Sequence, residues 1–206
     1  MKVRAFTKTY DKRTVLDFPG YDFEAGKIYA ILGANGSGKS TFAKVVAGIE
    51  RSDDGKTVAS EGSLGYMPQK SFAFRMSTLK NVMVTGASED EALAALEKIG
   101  IESLADKKGN KLSGGETARM ALARILVKHY DTIIFDEPCA SMDIKSIMMA
   151  EKMMKEYCDK EGSTMIIVTH SLSQAKRIAD EILYFHEGRL MDMSSEEAKD
   201  FIKFFD

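Results

Sequence analysis

The chain has 206 residues, of which 44% are hydrophobic and 29% are charged, and its formal net charge is −2. This length suits one substantial domain and excludes two domains of ordinary size, and the composition excludes a disordered or low-complexity chain. With 29 basic residues against 31 acidic ones, no overall field attracts nucleic acid, so we expect no nucleic-acid partner. Two cysteines are too few for a disulfide framework and indicate reduced thiols in the cytoplasm. The apolar runs are too short for a signal peptide or a membrane span, so we expect that the chain does not cross a bilayer by itself.

The first part of the chain predicts short strands followed by the start of an α/β core. Alternating residues at 2–6 and 14–18 predict antiparallel strands, whereas the continuous apolar run at 28–32 predicts a strand buried on both faces. A glycine-rich turn follows this run, and residues 40–49 have the pattern of a helix. The predicted order at this point is strand, loop, helix.

The middle of the chain predicts a helical insertion, because residues 71–111 contain no apolar run typical of a buried strand. Two further buried strands are predicted at 132–135 and 165–168, each followed by polar residues and a helical pattern. Strands that alternate with helices in this way predict a parallel sheet. A short strand at 190–193 and a helix at 195–205 are predicted to close the chain, without a further C-terminal domain.

The glycine-rich turn matches the phosphate-binding pattern G-x-x-x-x-G-K-[ST] over residues 33–40, and Thr41 follows it directly. Its backbone N–H groups and the start of the following helix are predicted to hold phosphate oxygens. Lys39 is predicted to neutralise the β- and γ-phosphates during catalysis, and Ser40 to bind the Mg²⁺ that bridges them. A glycine-rich turn without a ligand is the alternative, but it would not require a strand before the turn and a helix after it. The nucleotide-binding residues predicted here are Gly33, Asn35, Gly36, Ser37, Gly38, Lys39, Ser40 and Thr41.

Two adjacent carboxylates follow the predicted strand 132–135. Asp136 is predicted to hold the Mg²⁺ shell, and Glu137 is predicted to face the attacking water as a base or as an orienting group. Alone, such a pair is common at the edge of any sheet. Together with the phosphate-binding loop it predicts a site for ATP and Mg²⁺.

A second candidate anion site lies between the helical insertion and the strand 132–135, where Leu112, Ser113, Gly114, Gly115 and Glu116 precede a helical pattern. This segment resembles the signature motif of ATP-binding-cassette (ABC) ATPases, in which the last position is usually glutamine. In that family, ATP is clamped between the phosphate-binding loop of one protomer and the signature segment of the other. The resemblance therefore implies a homodimer with two equivalent sites, to which Ser113, Gly114, Gly115 and Glu116 contribute.

Four other positions resemble functional residues of the same family. Tyr10 resembles the aromatic residue that stacks on adenine, although it also suits an ordinary strand tyrosine. Gln69 resembles the catalytic glutamine that senses Mg²⁺ and water and hinges the helical insertion, although it also suits a plain loop amide. Asp143 resembles the acid of a short interface loop, in which Met142 departs from the common pattern. His170 resembles the catalytic histidine that contacts the γ-phosphate.

The resemblance implies an ABC ATPase fold of the α/β class: a P-loop NTPase core with a mainly parallel sheet, an N-terminal antiparallel β-subdomain and an α-helical insertion. It implies one ABC ATPase domain over residues 1–206. Within it, residues 1–70 form the β-subdomain and the phosphate-binding loop, residues 71–116 form the helical subdomain with the signature, and residues 117–206 form the remainder of the core.

The resemblance also implies a function, which is ATP hydrolysis that energises transport by a separate membrane-embedded subunit. The chain would be peripheral on the inner face of the cell membrane, and an extracytoplasmic substrate-binding protein is a further expected partner. Residues 69–82 are similar to the same region of importers for oxyanions such as tungstate, molybdate or phosphate. The alternatives are a non-transport ABC ATPase that acts on DNA or ribosomes, and a nucleotide-binding module without turnover. A non-transport ABC ATPase would usually have long coiled coils or two cassettes in tandem, and this sequence predicts neither. The presence of Glu137 and His170 argues against a module without turnover.

Overall fold

Two small antiparallel ribbons begin the chain in the computed structural model, which describes residues 1–60 and 62–191. In the first ribbon β1 (Lys2–Val3) pairs with β4 (Tyr21–Asp22), and in the second β2 (Phe6–Tyr10) pairs with β3 (Arg13–Phe18). The predicted strand at 2–6 is therefore wrong in its bounds, because the chain leaves β1 after two residues and starts a new strand at Phe6. The N-terminal antiparallel β-subdomain itself is confirmed.

A six-stranded sheet forms the core. Its members are β5 (Ile28–Leu32), β6 (Leu64–Met67), β7 (Thr132–Asp136), β8 (Thr164–Val168), β9 (Glu181–His186) and β10 (Arg189–Met191). The strand order is β10-β9-β5-β8-β7-β6, and all neighbours are parallel except β9 and β10. Every residue of β5, β7 and β8 is buried, which explains why these strands have continuous apolar runs. The mainly parallel sheet is confirmed.

Helices pack on the sheet and form the insertion. They are α1 (Lys39–Val46), α2 (Thr78–Met83), α3 (Glu89–Lys98), α4 (Gly114–Leu126), α5 (Ile144–Glu161) and α6 (Leu172–Ile178), with 3-10 turns at Glu102–Leu104 and Gly109–Lys111. No strand occurs within residues 71–111, all of which are described, so the insertion is helical as predicted. No helix among the described residues is long and apolar enough to cross a membrane.

The two faces of the sheet bury separate hydrophobic clusters. Ile134 of β7 belongs to one cluster with Phe42 of α1, together with residues of the N-terminal ribbons, whereas its neighbour Ile133 belongs to the other with Leu96 of α3 and Met120 of α4. Successive side chains of a strand point to opposite faces, so a central strand covered on both sides has a continuous apolar run, as Ile133, Ile134 and Phe135 form in β7. Both cysteines are buried and free.

Some elements differ from the prediction. The edge strand β6 and the strand β9 were not predicted, because β6 has only four residues, one of them a glycine, and β9 begins at a charged residue. The helix predicted over residues 40–49 ends at Val46 and is followed by a turn at Gly48. Within the described residues β10 ends at Met191, so the remainder of the predicted strand 190–193 and the predicted helix 195–205 lie outside them.

Candidate active site

The phosphate-binding loop connects β5 to α1 and is closed by its own lysine. The Nζ atom of Lys39 donates hydrogen bonds to the carbonyl oxygens of Gly33 at 2.7 Å and Ala34 at 2.8 Å. Only 6% of Lys39 is exposed, and this burial lowers the pKa of its ammonium group. Gly38 is the N-cap of α1 and has a φ of 99°, a conformation that would be strained in a residue with a side chain. The ammonium is therefore held at the base of the loop, where it can neutralise a phosphate group.

A cavity of about 380 Å³ opens beside this loop. The residues that line it are Val15, Asn35, Gly36, Ser37, Gly38, Lys39, Ser40, Thr41, Gln69 and Glu137. All the loop residues predicted from the sequence except Gly33 are in this set, and Gln69 and Glu137 join them from distant parts of the chain. Val15 was missed, since an apolar residue in a short strand carries no sequence signal for nucleotide binding.

Ser40 and Asp136 offer adjacent oxygen atoms to a metal ion. The Ser40 hydroxyl donates a hydrogen bond to Oδ1 of Asp136 at 3.0 Å. Asp136 is 2% exposed, and burial raises the pKa of its carboxyl group. A hydroxyl and a carboxylate are hard oxygen ligands, and Mg²⁺ is commonly held by few protein oxygens together with water and substrate phosphates. These two residues therefore fit Mg²⁺.

Glu137 and His170 form a pair at the ends of neighbouring strands. Nδ1 of His170 lies 2.7 Å from Oε1 of Glu137. The Glu137 side chain is 10% exposed, whereas that of His170 is 58% exposed. Glu137 has a φ of 50°, which is unusual for a residue with a side chain, and its backbone N–H donates to the carbonyl oxygen of Val168 at 2.9 Å. Strained backbone of this kind is found where a side chain must be aimed, and here it accompanies a carboxylate that lines the cavity.

Tyr10 lies beside the cavity rather than in its lining. Its hydroxyl group donates a hydrogen bond to Glu50 and also interacts with Thr41, which does line the cavity. Burial, followed by the Glu50 carboxylate, raises the pKa of Tyr10 to about 12. The Nζ atom of Lys8 lies 4.9 Å from the centroid of the ring, and Tyr10 is 40% exposed. The ring is thus held at the rim, and adenine stacking remains a prediction.

The signature segment forms the start of α4, away from the cavity. Ser113 is the N-cap: its hydroxyl accepts from the backbone N–H of Glu116 at 3.2 Å, and Oε2 of Glu116 accepts from the backbone N–H of Ser113 at 2.7 Å. Ser113, Gly114, Gly115 and Glu116 are all described, and none of them lines the cavity. Asp143 also lies elsewhere, where it caps α5 by accepting from the backbone N–H of Ser146 at 2.9 Å. One chain therefore brings together the loop, Gln69, Asp136, Glu137 and His170 but not the signature.

A model of the family described as ABC transporter matches residues 17–140. The chain belongs to the ABC transporter family. The tungstate uptake system ATP-binding protein TupC of Peptoclostridium acidaminophilum is 35% identical over 198 residues, which cover 89% of this chain and 92% of that protein. The aliphatic sulfonates import ATP-binding protein SsuB 2 of Rhizobium johnstonii is 35% identical over 195 residues, which cover 92% and 78%.

Among solved structures, the chain is similar to a dimeric post-hydrolysis state of the ATP-binding cassette MJ0796 bound to ADP and Pi. The TM-score is 0.81 at 25% identity, and the match covers 93% of this chain and 96% of that one. The predicted ABC ATPase fold, the importer-like resemblance and the identification as a transport-coupled ATPase are confirmed.

A turn between β9 and β10 is hydrogen-bonded to the phosphate-binding loop of this ABC ATPase. The backbone N–H of Gly188 donates to the carbonyl oxygen of Ser37, and the carbonyl oxygen of Gly188 accepts from the backbone N–H of Asp17, both at 2.8 Å. Gly188 has a φ of 79°, and a Cβ atom at this position would collide with the carbonyl oxygen of Val15. The turn therefore joins the loop to β3, and only glycine fits it. No local sequence signal indicates this contact, because Gly188 and Ser37 are about 150 positions apart.

We expect Gly188→Ala to destabilise the chain and to weaken ATP binding, because the turn must move away from both the loop and β3. The expected loss of stability is about 3 kcal/mol, measured by thermal unfolding alongside ATP titration. Gly162→Ala is the matched control, since Gly162 has a similar φ of 65° but nothing within 4 Å of an added Cβ. It should cost about 1 kcal/mol and leave ATP binding unchanged. Equal losses for both variants would show that the turn does not support the loop.

Proposed function

We propose that this chain energises transport through a separate membrane-embedded subunit, by ATP-driven closure of a dimer of two copies. The observation that carries the proposal is that the two helix starts predicted to bind phosphate, after the loop before α1 and at the start of α4, do not share a cavity. A two-fold axis that places the α4 end of one copy over the loop of the other gives two equivalent sites. ATP would then stabilise the closed dimer, and hydrolysis would release it.

We assign the steps of hydrolysis to residues around the cavity. The loop N–H groups and Lys39 bind the β- and γ-phosphates and offset the charge that develops in the transition state. Ser40 and Asp136 would hold Mg²⁺, which would supply further positive charge at the site when bound. Glu137 orients the attacking water and accepts its proton. Nδ1 of His170 lies 2.7 Å from Oε1 of Glu137 and fixes that carboxylate, and in the doubly protonated imidazolium form the other ring nitrogen, Nε2, would donate to the γ-phosphate. Gln69 lines the cavity. Through it, the presence of nucleotide in the cavity would affect the position of the segment that follows Gln69.

The segment after Gln69 offers an apolar surface for the membrane subunit. Phe72 and Phe74 are 50% and 43% exposed, and their rings meet edge to face with centroids 5.3 Å apart. The guanidinium of Arg124 lies 4.7 Å from the Phe72 centroid and donates to the Phe72 carbonyl oxygen at 3.2 Å. Because Arg124 belongs to α4, this surface is joined directly to the signature helix. The exposed surface at Phe72 and Phe74 is thus linked to the cavity through Gln69 and to the signature segment through α4.

Several assignments follow from the family rather than from a single contact. We propose one ABC ATPase domain, divided at residues 70 and 116 as the sequence predicts, located at the inner face of the cell membrane. The two relatives carry the names of systems for tungstate and for sulfonates, both of which are oxyanions. These names support an oxyanion as the cargo. We propose an extracytoplasmic substrate-binding protein as a further partner, as the family resemblance implies.

The docking surface can be tested with the double variant Phe72→Ser and Phe74→Ser. We expect this variant to lose at least tenfold of its co-purification, in mild detergent, with the membrane protein encoded beside its gene, since the anchoring aromatic residues of an interface carry most of its binding energy. ATP binding by the isolated chain should be retained.

Ile49→Ser is the matched control, because Ile49 is a large apolar residue that is 64% exposed outside the insertion. It should retain the membrane protein. Retention of the membrane protein by the double variant would contradict the docking surface, and failure of the unchanged chain to retain any membrane protein would contradict the proposed transport function.

A further inference from the structure

The carboxylate of Glu116 lies in the first turn of α4, and the start of this helix is proposed to bind a phosphate group of ATP. Oε2 of Glu116 accepts from the backbone N–H of Ser113, and this hydrogen bond, followed by Lys107, lowers the pKa of Glu116. The group is therefore negatively charged at neutral pH. A fixed negative charge beside Ser113 opposes the approach of a phosphate to the same helix end.

Lys107 supplies the opposite charge. Its Nζ atom lies 2.9 Å from Oε2 of Glu116, with 35% of the lysine side chain and 21% of the glutamate side chain exposed. The backbone of Lys107 is held in place, since its carbonyl oxygen accepts from both the backbone N–H and the hydroxyl of Thr78, each at 2.9 Å. Thr78 is fully buried at the start of α2. The backbone that carries the Lys107 ammonium group is thus anchored to α2 of the helical insertion.

The helix cap alone does not require this lysine. Ser88 and Glu91 form the same reciprocal cap at the start of α3, where the hydroxyl of Ser88 accepts from the N–H of Glu91 at 3.3 Å. Glutamine satisfies such a cap as well as glutamate does. The contact of Lys107 with Glu116 is therefore not needed for the cap, and its effect is to offset the negative charge of Glu116.

We propose that Lys107 is a positioning residue of the ATP site, which cancels the charge of Glu116 so that the start of α4 can accept the γ-phosphate of ATP bound to a second copy. This inference rests on the shared site of the proposed function. It predicts that the need for Lys107 disappears when Glu116 is made neutral.

The test is a double-mutant cycle in the full chain with Lys107→Met, Glu116→Gln and both together. Lys107→Met should lower kcat about tenfold and weaken the ATP-dependent dimer in size-exclusion chromatography, while ATP binding by the monomer is unchanged. In the Glu116→Gln background, the same change should alter kcat less than about twofold. Lys108→Met is the matched control, because Lys108 is the exposed neighbour in the same loop, and it should leave kcat unchanged.

An equal loss of kcat from Lys107→Met in both backgrounds would overturn the inference and leave Lys107 with a structural role. A loss of kcat from Lys108→Met as large as that from Lys107→Met would also overturn it. Thermal unfolding of each variant separates a folding defect from a charge effect. The shared site itself is tested by Ser113→Arg in the same assays. If Ser113→Arg is inactive while the cycle shows no coupling, only the role of Lys107 fails, whereas full activity of Ser113→Arg removes the shared site and this inference with it.

Discussion

Glu137→Gln is expected to reduce ATP hydrolysis by about 10²- to 10⁴-fold, the range for loss of a general base, while ATP binding is retained. Glutamine keeps the shape of the side chain and can still accept from His170, but it cannot take the proton of the attacking water. ATP should then hold the closed dimer without being consumed. The dimer should accumulate in size-exclusion chromatography with ATP and Mg²⁺, and released phosphate measures the loss of turnover.

Glu97→Gln is the matched control, because Glu97 is an exposed glutamate on α3, outside the cavity. It should have the turnover of the unchanged chain and form no stable dimer. If Glu137→Gln keeps full turnover and stays monomeric with ATP, Glu137 is not the base and hydrolysis does not control dimer opening.

Much of the core and of the cavity could be predicted because the signals are local. A buried strand, the eight-position phosphate-binding pattern and a helix follow one another within residues 28–46, and Asp136 and Glu137 lie at the end of a second buried strand. In a parallel sheet the carboxyl ends of strands meet at one edge, so β5 leads to Lys39, β7 to Asp136 and Glu137, and β8 to His170 at the same edge. The chain order of these elements therefore determined most of the site.

Contacts between distant segments could not be predicted in the same way. The Gly188 turn reads as an ordinary turn, and only the fold places it against Ser37 and Val15. Lys107 has no motif, and its pairing with Glu116 depends on a loop held by Thr78. Edge strand β6 is short and contains Gly65, and its pairing with β7 overrides the weak propensity of its sequence.

Ser113→Arg is expected to abolish ATP hydrolysis without reducing ATP binding by the isolated chain. Ser113 caps α4 but does not line the cavity of its own chain, so a bulky cation there leaves the loop, Lys39 and Glu137 undisturbed. In the proposed dimer the arginine would instead fill the space needed by the γ-phosphate of the other copy. Turnover should fall to background, with an unchanged dissociation constant for ATP measured by calorimetry on the monomer.

Ser88→Arg separates loss of the site from loss of the cap. Ser88 and Ser113 both begin helices with a reciprocal serine–glutamate cap, so each arginine variant should lose about 1 kcal/mol of stability. Only Ser113→Arg should lose turnover, because only α4 is proposed to face a second nucleotide. If Ser113→Arg instead loses ATP binding as a monomer, the start of α4 serves the ATP of its own chain, and the arrangement of two copies around shared nucleotides is wrong.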